Sequence, residues 1–191
     1  MGISIHYHGA VIANVSYINE ILKTVSEYLF MYNIDDYDLS HNFKNNEEKL
    51  NIESYINSEM VPTNYFGNTI LYTPRSMLRE PISIINKRSL LANLHPDCET
   101  FVISFYKSKN NDVWIIPYSS VKTHYSPLWV HALICKILKK IEFMITKKGG
   151  IFSINDESNY YYSNNINDLK KSILQTNRLI GKVNPGLNMP E

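Results

Sequence analysis

The sequence predicts an α+β fold: a mostly antiparallel sheet with two main helices packed on one face and a further helix near the C-terminal end. Three observations lead there. A period-2 run opens the chain, two strongly apolar helical patterns stand far apart at 15–33 and 127–146, and several short β-like runs lie between them with no helix interleaved in the later ones. A parallel, doubly wound sheet needs strands and helices in strict alternation, and the middle of the chain does not supply it.

Each element has its own warrant. From Gly2 to Ala10, Ile3, Ile5 and Tyr7 alternate with Ser4, His6 and His8, the pattern of a half-buried strand. Asn14 offers a helix N-cap, and Val15, Ile18, Leu22, Val25 and Leu29 then recur at spacings of three and four. Residues 35–64 are polar and read as surface, with room for a short helix around Glu47–Ile56. After Gly67 come β-like runs at 69–73, 82–85, 90–94, 100–107 and 113–117, the last two joined as a hairpin by a turn over 108–112. Pro127 opens the second main helix, which is apolar on more than one stripe, with Thr123 or Ser126 as its cap; Gly149 and Gly150 end it. Strands are expected at 151–155 and 160–163, then a helix over 166–180 with Leu169, Ile173 and Ile180 inward, stopping at Gly181. One domain, 1–181, and a loose Pro- and Gly-containing tail, 182–191, complete the organisation.

Composition narrows the function classes. The chain has 191 residues, 44% of them hydrophobic, with 19 basic against 18 acidic side chains. That is enough to bury a core without disulfides or metals, and too balanced in charge to recruit nucleic acid. No apolar stretch approaches the ~20 residues of a membrane helix, and the N-terminus lacks the layout of a secretory signal, so a cytoplasmic protein with no membrane partner is expected. In that compartment Cys98 and Cys135 read as free thiols. Neither a cofactor nor a metal is expected.

Five of the six histidines, His6, His8, His95, His124 and His131, fall at expected strand ends and at a helix start. His6 and His8 share a strand face and could offer two nitrogens to one ion; a polar outer sheet face explains them as well. The run His95-Pro96-Asp97-Cys98-Glu99 has type I turn chemistry, and it also sets a thiol beside a base and two carboxylates. Lys122 precedes a helix N-terminus, where an anion could be held, and a solvated loop is the plainer reading. Asp156 and Glu157 pair two carboxylates ahead of three tyrosines, which cross-strand packing accounts for equally well.

The stretches Ile5-His6-Tyr7-His8-Gly9, His95-Pro96-Asp97-Cys98-Glu99, Lys122-Thr123-His124-Tyr125 with His131, and Asp156 to Tyr161 together resemble a group of small uncharacterised bacterial proteins. The motifs of that group read I-H-Y-x-G, H-P-x-C-E, K-T-Q-F with a following His, and D-E-G-G-Y-W. This chain departs from them at His124, Ser158 and Asn159. The resemblance implies no activity. It implies a bacterial α+β domain with a shared pocket of His6, His95, Glu99, Lys122, His131 and Glu157; for these to converge, the strand bearing His6 is expected beside the strand that follows His95.

Two functional readings remain. The first is a binding protein that neutralises or regulates a protein partner, in the manner of an immunity protein against a toxin, with Asp35, Asp36, Asp38, Glu47 and Glu48 as contacts for a basic surface. The alternative is a small hydrolase, or a protein holding an anionic metabolite, built on the His/Glu/Lys pocket.

Overall fold

The computed structural model describes residues 2–58, 60–66, 69–74, 82–109 and 112–183. Along β1 (Ser4–Ile12), Ile5, Tyr7 and Val11 are buried while His6, His8 and Ala10 are only partly so, as strand alternation requires. Asn14 caps α1 (Val15–Met31), its Oδ1 accepting the Tyr17 N–H at 2.9 Å. The remaining elements are β2 (Tyr37–Ser40), α2 (Asn46–Ser58), β3 (Met60–Phe66), β4 (Thr69–Pro74), β5 (Ile84–Ala92), β6 (Phe101–Ser108), β7 (Val113–Lys122), α3 (Leu128–Lys147), β8 (Ile151–Asp156), α4 (Tyr160–Ser163) and α5 (Ile166–Val183).

Six strands form one antiparallel sheet in the order β2-β5-β6-β7-β1-β8, and β3 and β4 pair separately. The architecture is the expected α+β. The two main helices cover one face, where Leu22 and Leu29 of α1 and Ile134 and Leu138 of α3 meet Phe105 and Trp114 of the sheet. The Trp114 indole N–H donates to the Ala13 carbonyl at 3.0 Å, so the largest core side chain keeps its polar atom satisfied. Two residues after α3, a complete Schellman turn forms: Gly149 N–H reaches Thr146 O, Gly150 N–H reaches Ile145 O, and Gly149 takes φ of 72°.

Several expectations change. The polar stretch is more structured than surface: α2 packs on the opposite sheet face. There Ile56 and Ile52 meet Ile84, Tyr106 and Ile115, and the last two alternate with the core residues Phe105, Trp114 and Ile116. The runs at 82–85 and 90–94 are one strand, β5, and β7 continues through Pro117 to Lys122. Residues 160–163 are helical, because the Asp156 carboxylate accepts the N–H groups of Ser158 and Tyr161 and Asn159 turns at φ of 63°, winding the chain into a turn. Neither Thr123 nor Ser126 caps α3; Pro127 holds the N-cap position and both hydroxyls bond elsewhere. α5 runs through Gly181, and Leu169 is its fully buried anchor. Residues 110 and 111 of the expected turn, Gly67, the Ile180 side chain and the tail beyond 183 lie outside the described residues or side chains. Among the described residues no helix is long and apolar enough to cross a membrane.

Candidate functional site

The six pocket residues gather round one end of the sheet but divide between its two faces. β1 lies between β7 and β8, so the strand bearing His6 is not beside β6, the strand that follows His95; the β6–β7 hairpin sets β7 between them. Alternation then divides the imidazoles. Ile5 pairs with Asp156 and faces the two main helices, whereas His6 pairs with Ser120 and Asn155 on the opposite face.

On that face, His6 Nε2 lies 3.3 Å from Glu157 Oε1, and Glu157 Oε2 accepts the Ser4 N–H at 2.8 Å. Glu157 is thereby fixed to the start of β1. The His6 and His8 rings both contact the Tyr118 ring, at centroid distances of 5.5 and 6.0 Å, and this aromatic contact is what the His-x-His spacing builds. Burial lowers the His8 pKa.

Glu99 and Lys122 meet through backbone. The Lys122 N–H donates to Glu99 Oε2 at 2.8 Å, and the Glu99 N–H returns to Lys122 O at 3.2 Å. This clasp ties the 95–100 loop to the end of β7. The five-residue motif is a turn: Cys98 N–H donates to His95 O, and His95 Nδ1 accepts the Asp97 N–H at 3.1 Å. Burial and the neighbouring Glu99 charge push the Cys98 thiol up to about 11, against a hydrogen bond with Ser126 that lowers it, so the thiolate needed for nucleophilic attack is scarce at neutral pH. His95, Pro96 and Cys98 line an open cleft of about 370 Å³ with Asp36, Asn93 and Leu94.

His131 sits on the other side of the sheet, sealed under α3. Its Nδ1 lies 2.7 Å from Thr123 Oγ1, and its Nε2 lies 3.1 Å from Ser158 Oγ and 3.2 Å from Asp156 Oδ1. Thr123, His131, Asp156 and Ser158 are all at most 5% exposed. Burial alone would raise the Asp156 carboxyl, but the His131 hydrogen bond and charge, with the N–H groups of Tyr161 and Ser158, hold it below the usual carboxylate range. Cys135, one helical turn after His131, completes a buried group in which the ligand atoms of His131, Cys135 and Asp156 lie within 4.8 Å of one another. Sequence reasoning chose Glu157 rather than Asp156; carrying the β8 alternation one step past Ile154 points Asp156 inward. His124 is buried beside Tyr125, and burial lowers its pKa against the Asn177 side chain that raises it.

The acidic candidates also divide. Glu48 is turned inward onto the buried Lys87, with Oε1 2.5 Å from Nζ, so it is not a free partner contact. It accepts the Lys44 N–H as well, while its own N–H reaches Asn45 Oδ1 at 2.8 Å, a capping arrangement that starts α2. Asp36 accepts from the Asn93 amide at 3.0 Å. Asp35, Asp38 and Glu47 are exposed and make no ion pair among the described residues. Asp35 and Asp38 lie beside and on β2, the terminal strand of the six-stranded sheet, which among the described residues pairs only with β5 and exposes Tyr37 and Leu39; Glu47 is in the first turn of α2.

No family model matches the chain, and comparisons with curated proteins and with solved structures each found no match. The roles of these residues are therefore read from their geometry.

Proposed function

We propose that the protein is a cytoplasmic binding protein that neutralises or regulates a basic protein partner, engaging it along the β2 edge. The observation that carries this reading is the edge itself. Among the described residues one side of β2 has no strand neighbour in the sheet; solvated Asp35 and Asp38 flank Tyr37 and Leu39, which are 37% and 40% exposed, and solvated Glu47 follows in the first turn of α2. An open strand edge can add a partner strand through main-chain hydrogen bonds. Flanking carboxylates steer a basic surface to it, and exposed aromatic and aliphatic side chains supply the apolar contact on docking.

The hydrolase and metabolite readings have less support. Their residues are spent on backbone clasps, a turn and a sealed network, and the one thiol near the cleft is held protonated.

The test is affinity capture from the native host lysate with the wild type and with the triple charge reversal D35K/D38K/E47K. A stoichiometric protein retained by the wild type, released by salt and lost by the triple variant is expected. No stoichiometric partner, or equal capture by both proteins, would sink the reading.

A further inference from the structure

The inner face of α3 and the end of β8 bring three buried side chains of metal-ligating kind within reach of one ion. His131 and Cys135 are four residues apart on α3, so both side chains descend from one helix face. They meet Asp156, the last residue of β8. All three are at most 5% exposed. We propose that His131, Cys135 and Asp156 bind a zinc ion, with the Ser158 hydroxyl as the neutral fourth donor.

Distances, orientation and charge support the assignment. Tetrahedral zinc, with bonds of ~2.0–2.3 Å, sets its ligand atoms roughly 3.3–3.6 Å apart. His131 Nε2 to Asp156 Oδ1 is 3.2 Å and His131 Nε2 to Ser158 Oγ is 3.1 Å, close to such edges; Cys135 Sγ lies within 4.8 Å of the other two ligands, and the Ser158 hydroxyl, which donates to Asp156 Oδ1 at 2.8 Å, gives up that hydrogen bond as the ion enters between them. The ring is also oriented for the task. With zinc in place of the Nε2 hydrogen bond to Asp156, Thr123 Oγ1, 2.7 Å from Nδ1, takes the Nδ1 proton and Nε2 faces the ion, the arrangement that positions metal-binding histidines generally. A thiolate, a carboxylate and a neutral imidazole around a divalent ion sum to zero, so the buried site leaves no bare charge. On binding, the S–H bond of Cys135 breaks, an S–Zn bond forms and the proton leaves to solvent.

Every donor is supplied by the protein, and Ser158 is as deeply buried as the three ligands it joins, which makes this a closed, structural site. It would tie α3 to the end of β8 and the 156–161 turn. The ion is taken up as the chain folds.

The experiment uses untagged full-length protein refolded with zinc and, separately, with cobalt(II). Stoichiometric zinc by elemental analysis is expected, together with a thiolate-to-cobalt charge-transfer band in the near ultraviolet and tetrahedral visible bands. C135S should abolish the charge-transfer band. T123V, which keeps every ligand but removes the acceptor for Nδ1–H, should weaken zinc binding by about 10–100-fold. Folded wild type that holds no stoichiometric zinc and gives no cobalt band would overturn the proposal. So would stoichiometric zinc that persists unchanged in both C135S and D156N.

Discussion

Replacing Glu48 with Gln removes one charge from a pair that pins α2 to the sheet, and the structure sets the size of the effect. Lys87 and Glu48 side chains are 8% and 23% exposed, and Nζ lies 2.5 Å from Oε1. Breaking a fully buried pair from one side costs about 3–5 kcal/mol, because the remaining charge is stranded. Glu48 reaches some solvent, so water can solvate part of the orphaned ammonium, and about 2–3 kcal/mol is expected for E48Q. The pH dependence follows from the carboxyl. Burial would raise it, but the Lys87 hydrogen bond, the Lys44 N–H and the two ammonium charges hold it below its ordinary value. A depressed folded-state pKa gives stability that is complete above the unfolded value of about 4.3 and is lost as pH falls through the folded one. Urea midpoints at pH 7 should therefore separate E48Q from the wild type, and the gap should close on acidification. K87M/E48Q, which strands no charge, should recover most of the loss. An E48Q midpoint equal to wild type at pH 7, or a gap that does not change with pH, would refute the reasoning.

Leu22→Ala and Leu138→Ala, on the buried faces of α1 and α3, should each destabilise by about 2–5 kcal/mol in the same assay, and unchanged midpoints would show that the core is elsewhere. His8 should titrate by NMR below the ordinary histidine value, since burial disfavours its charged form. Its share of stability is then complete above about 6.5 and eroded as pH falls through the folded value, and Tyr118→Ala, by uncovering the ring, should move that value back up. A His8 resonance titrating at or above about 6.5 in the wild type would contradict this.

The fold was legible where one period dominates. Ile5 and Tyr7 against His6 and His8, the 3-and-4 spacing from Ile18 to Leu29, and the Gly149-Gly150 stop each specify an element from adjacent residues alone. α2 was faint because its apolar positions are few, so its packing depends on Ile56 and Ile52 finding a sheet face that sequence does not reveal. The turn at 160–163 read as a strand because three tyrosines carry β propensity, which the Asp156 carboxylate overrides by holding two backbone N–H groups. The candidate pocket failed on topology. Each residue stood at the expected sheet end, but β7 stands between β1 and β6, a long-range matter of strand order, and alternation along β1 turns His6 to the face opposite His131. Glu48 carried a local signal, Asn45-x-x-Glu48, that marks it as a helix-start residue rather than a surface charge.

Binding at the β2 edge is tested most directly by hydrogen–deuterium exchange on the complex with the captured partner. Added protection should fall on backbone amides of 35–40 and on the first turn of α2 near Glu47, and it should weaken as salt rises. Protection confined to other surfaces, with the 35–48 segment exchanging as in the free protein, would contradict the proposal.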